Sequence, residues 1–162
     1  MKRLLPIFAL IGIMPLLMSM GKNSGLQISW LSEGDVTDGP KMVRQDVEPA
    51  PDGSLHYFCI SPMVTQRNIR AMKPMPADDG TWGAVFLLDE EGWKSVQAVS
   101  SVDNGKLLRV MVSGRPVEFQ RIMRPVTDDH LICIWRGITE SEISGMKRKY
   151  KEFSTPGKPA KR

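Results

Sequence analysis

The residues that could do chemistry in this chain are few. His56 and His130 are its two histidines, Cys59 and Cys133 its two cysteines. Each histidine stands alone among aromatic or apolar neighbours, whereas zinc draws three or four ligands at recurring spacing. Hydrolysis has no Gly-x-Ser-x-Gly elbow to start from, and Cys59 lies in an apolar strand with no base beside it to activate the thiol. Met72-Lys73-Pro74-Met75 with His56 or His130 offers soft ligands of the kind that select Cu(I). Against this, Met42, Met63, Met72, Met75, Met111, Met123 and Met146 scatter without a repeated ligand spacing, and filling gaps in a core is their ordinary use. Asp89-Glu90-Glu91 and Asp128-Asp129 resemble paired carboxylates, but a helix start and a turn account for both. No catalytic residue, metal ligand or cofactor site is assigned.

The setting comes from the N-terminus. Lys2 and Arg3 precede an apolar run over residues 4–18, and small residues Ser19 and Gly21 follow. That is the three-part pattern of a secretory signal, with cleavage after Gly21. The run is interrupted by Pro6 and Pro15 and is short for a bilayer span of about 20 residues. Residues 1–21 are therefore expected as a signal peptide, 22–153 as one domain and 154–162 as a disordered basic tail. No stable membrane span is expected after cleavage, and the location is periplasmic or secreted. An oxidising compartment permits a Cys59–Cys133 disulfide; two small buried apolar side chains are the other reading.

The basic charge belongs to the ends. Leaving out Lys2 and Arg3, and Lys158, Lys161 and Arg162 of the tail, takes 22 basic residues to 17 against 18 acidic. A body without excess positive charge has no general pull on phosphate backbones, so nucleic acid is not a partner.

The elements that would position these residues read in order as β-β-α-β-α-β-β-β-α. Residues 26–31 and 54–60 have strand character, with a turn-rich, irregular connection over 33–53. Thr65 caps a short helix expected over 66–73, stopped by Pro74 and Pro76. Residues 82–88, apolar on both faces, make a central strand. Asp89 then caps a helix whose stripe is Trp93, Val96, Val99 and Val102, ended at Gly105. Strands over 106–112 and 116–123 form a hairpin around Ser113-Gly114, and 130–136 is a further strand. Thr139 and Glu142 form a capping box, after which Ile143, Met146, Tyr150 and Phe153 share one helical face. The expected fold class is α+β, a mainly antiparallel or mixed sheet with helices packed on one face.

Within this order, residues 85–143 read VFLLDEEGWKSV, NGKLLRVMVSG, RIMRPV and GITESEI. The succession resembles the head subdomain of the first periplasmic domain of SecD/SecDF, the protein-export subunit. Carrying it are Phe86–Gly92 at strand end and helix start, Gly105-Lys106, Ser113-Gly114, the Ile122, Pro125, Val126 step, and Gly137, Thr139 and Glu142. Upstream, Pro62, Thr65, Ile69 and Ala71 are similar to the opening of the family's first head helix. Two positions depart: Ser113 replaces an aspartate, and Gln120 stands where a proline is usual. The resemblance implies a SecD periplasmic-head-like fold, a periplasmic setting, no catalytic residues, and polypeptide or an envelope protein as partner. It does not carry over the membrane-embedded energy coupling of the export subunit. The other reading is a small periplasmic metal-binding protein or hydrolase.

Overall fold

The computed structural model describes residues 26–46, 49–103, 105–122 and 130–153. The signal reading for 1–21, the turn at Asp128-Asp129, the step at Pro125 and Val126, and the tail over 154–162 lie outside the described residues.

Two four-stranded sheets share one core. The first is antiparallel, in the order β4-β1-β7-β8, with β1 at Ile28–Ser32, β4 at Val64–Thr65, β7 at Leu107–Val112 and β8 at Arg115–Arg121. Alternation along β1 buries Ile28, Trp30 and Ser32 and leaves Ser29 and Leu31 on the outer face. The β7–β8 hairpin closes through Ser113 at φ 52° and Gly114 at φ 81°. Successive left-handed residues match a two-residue turn to the twist of its strands. The second sheet is mixed, in the order β10-β5-β6-β9, with β5 at Ile69–Pro76, β6 at Trp82–Leu88, β9 at Leu131–Ile138 and β10 at Lys151–Glu152. Only β10 runs parallel to its neighbour. A ribbon pairs β2 (Val43–Gln45), which lies within the stretch read as irregular, with β3 (Tyr57–Cys59), which lies in the strand expected over 54–60.

Both helices reach the same core. Asp89 accepts the Gly92 N–H and starts α1 (Glu90–Val102); the Thr139–Glu142 capping box starts α2 (Glu140–Lys149). Trp93, Val96, Ile143, Met146 and Tyr150 join Ile28, Trp30, Val110, Met72, Phe86 and Ile134 in one buried cluster. Trp30 meets Phe86 edge-on at its centre, with ring centroids 5.6 Å apart.

Three local expectations fail, each for a physical reason. Thr65 caps only a 3-10 turn, Gln66–Asn68, and the chain then runs on as β5 rather than as a helix over 66–73. Phe153 N–H donates to Met72 C=O on the β10 side of β5. By alternation Pro74 and Pro76 turn their nitrogens to that same side, beyond the end of β10, where a missing donor leaves no bond unmade. The stripe on α1 drifts, because each three-residue step falls about 60° short of a full turn at about 100° per residue. Val102, three such steps from Trp93, points to solvent at 82% exposure, and Ser100 takes the buried position instead. Finally, α2 ends at Lys149, and the chain past Tyr150 pairs as β10.

Candidate functional site

The sequence-derived candidates do not converge. His130 stacks on Trp93, centroids 5.2 Å apart. Met72 and Met75 are three apart on β5, an odd step that sends them to opposite faces. Cys59 and Cys133 are both unbonded, on different sheets. Burial, and then Glu118, push the Cys133 thiol above its ordinary pKa, which suppresses the reactive thiolate. Among the described residues, no group of three His, Cys, Asp or Glu side chains is placed to hold a metal ion.

One constellation was not visible in the sequence. Ser54 Oγ lies 2.6 Å from His56 Nε2, and His56 Nδ1 lies 2.5 Å from Glu33 Oε1. The order serine, histidine, carboxylate is that of a hydrolytic triad, but the protons are arranged otherwise. Ser54 Oγ is also 2.5 Å from Asp52 Oδ1. A hydroxyl has one proton, and Asp52 needs it, so His56 Nε2 must donate to Ser54 while Nδ1 donates to Glu33. The arrangement thus favours the imidazolium, and hydrogen bonding to Glu33 raises the ring's pKa above its ordinary value. A doubly protonated ring is no base. Glu33 Oε2 meanwhile accepts the Leu107 N–H, so this network ties the ribbon's connections to β7.

A buried charge does similar work beside it. Arg109, on the outer face of β7, ion-pairs with Asp46 and lies over the rings of Phe119 and Phe58, at 4.9 and 5.9 Å. With Ala50, Leu107 and Leu31 these rings form a small second core under the ribbon. Beside it a groove of about 340 Å³ runs between Gln27, Ser29, Cys59, Ile60, Pro62 and Met111.

The more unusual surface is the seam between β8 and β9, the facing edges of the two sheets. Leu88 N–H donates to His130 C=O, which fixes the parity of β9 as far as the register shift after Ile134: even residues bond β6 and odd ones face outward. Those outward groups meet side chains instead of a strand. Gln120 donates to Cys133 C=O at 2.8 Å, Glu118 accepts the Trp135 N–H at 3.0 Å, and Arg115 donates to Gly137 C=O at 2.7 Å. A bulge in β8 after Pro116 allows all three to project to one side. The seam is tight at one end, where a Cβ on Gly137 would meet Val117 C=O. At the other it opens into an apolar hollow of about 220 Å³ over Val96, Val99, Leu131 and Ile132. Trp135 stands at its rim, 59% exposed.

This α+β fold is that of a SecD-like periplasmic domain, as the motifs of residues 85–143 implied. Two solved structures share it. One is SecDF in a super-membrane-facing form, with a TM-score of 0.50 and 15% identity, covering 77% of this chain and 19% of that one. The other is a membrane component SecDF that enhances protein export, with a TM-score of 0.50 and 13% identity, covering 77% of this chain and 63% of that one. The chain thus spans less than two thirds of the length of either, and at these identities the likeness is one of fold. No protein-family model matches the sequence, and no curated protein does. Among the described residues no helix is long and apolar enough to cross a membrane.

Proposed function

We propose that this protein is a non-catalytic module of protein export that contacts polypeptide outside the cytoplasm. Residues 1–21 act as its signal, 22–153 as the working domain and 154–162 as a solubilising tail. The observation that carries the reading is the SecD-like fold, since a solved protein of that fold is described as enhancing protein export. The arrangement at Ser54 and His56 supports a role without turnover, because this serine–histidine pair among the described residues is tied into a bridge between carboxylates. Two sheet edges at the surface support polypeptide as the partner: main-chain pairing gives affinity with little sequence preference, as a factor meeting many exported chains requires.

The test is binding of a reduced, alkylated and therefore permanently unfolded protein, followed by fluorescence anisotropy. Micromolar binding of the unfolded form, with none of the same protein in its native state, is expected. No binding of the unfolded form, or its hydrolysis during the measurement, would overturn the reading.

A further inference from the structure

We infer that the β8–β9 seam receives one extended polypeptide segment in which an apolar run is followed by basic residues, laid along β9 and around Trp135. This rests on the reading of the domain as a polypeptide-contact module and names where, and for what chemistry, that contact is made.

Two hollows meet at Trp135. On one side is the apolar one over Val96, Val99, Leu131 and Ile132. On the other is a wider one lined by Met75, Pro76, Asp78, Asp79, Glu118 and Arg136. Three carboxylates against one guanidinium leave the second side negative, and an exposed indole face between them attracts a cation. From Ile132 to Arg136 an extended chain covers about 13 Å, at about 3.3 Å per residue. A segment aligned with β9 therefore presents its apolar side chains to the first hollow and a lysine or arginine about four residues away to the second.

The backbone explains why the segment is extended. The outward groups at Cys133 and Trp135 are those a pairing strand would use, and Gln120 and Glu118 now occupy them. These are side-chain partners on a neighbouring strand, so an incoming main chain can replace them one for one. Leu131 presents its own backbone to the same side by alternation, next to the open hollow, where entry meets least obstruction.

The experiment uses short labelled peptides, an apolar run followed either by lysines or by glutamates, titrated with the purified protein alongside the unfolded protein used above. The lysine peptide is expected to bind about tenfold tighter than the glutamate peptide. Trp135→Ala should weaken it by about tenfold, the scale of a central aromatic anchor. Asp78→Lys should abolish the lysine preference while leaving apolar binding. Both side chains are exposed, so the variants should keep the wild-type urea midpoint. Equal binding of the two peptides, or undiminished binding by Trp135→Ala, would overturn the seam as the site. If the unfolded protein still bound in that case, the broader reading would stand and the contact would lie elsewhere. If the wild type bound neither peptide nor unfolded protein, both would fall.

Discussion

His56 carries a charge that the fold maintains, and the consequence is measurable. Its folded pKa is raised above 6.5 by hydrogen bonding to Glu33, so its contribution to stability is fully present below about pH 6.5 and is lost as pH rises through the raised value. Urea midpoints measured from about pH 6 to about pH 9 should therefore fall in the wild type. In His56→Gln they should start lower and change less over the same interval. A parallel decline in both proteins would remove His56 as the cause. Asp52 behaves oppositely: bonds from Ser54 hold its carboxyl at about 2, so its contribution is present at neutral pH and lost only under strong acid. None of this was legible in the sequence. His56 read as a lone histidine because its main partner, Glu33, lies 23 residues away and only the ribbon brings the two together. Trp135 was half legible: alternation in LICIW buries Ile132 and Ile134 and turns the indole outward, but that β9 is a sheet edge follows only from strand order.

Among the elements, those punctuated by local chemistry were legible. Asp89, Thr139 with Glu142, and Ser113-Gly114 each satisfy or bend the backbone within a few residues, so their elements stand where the spacing put them. Segment 69–76 was misread because its prolines looked like helix stops, while a free strand side tolerates them equally well. Ile143 is fully buried beneath α2, and Ile143→Ala should cost about 2–5 kcal/mol in urea unfolding. Unchanged stability would show that α2 does not anchor the core. Gly83 makes a sharper case. A Cβ there would run into the Ile134 and Trp135 carbonyls, where β6 and β9 shift register. Those atoms belong to a strand backbone and cannot swing aside. Gly83→Ala is expected to cost about 1–3 kcal/mol by overpacking, and its thermal midpoint against that of Ile143→Ala would rank the two.

At the scale of the molecule, the division of strands between two sheets was beyond the sequence. β1 pairs along its whole length with β7, from Ile28 with Val112 to Ser32 with Leu108. Nothing local announces so distant a partner; the fold-level reading came from the succession of motifs instead. If residues 1–21 are a signal, protein recovered from its native host should begin at Lys22, and mass spectrometry finding Met1 intact would contradict that. The two prolines of β5 bear on what happens once many copies share a compartment. Strand-to-strand polymers grow only if every copy offers a donor-bearing edge at each end of its sheet. On the β5 side of the mixed sheet, β10 covers Ala71 and Met72, and Pro74 and Pro76 have no N–H to offer beyond them. That stretch of the sheet is therefore a poor template for another copy's strand, which blunts edge-to-edge association there.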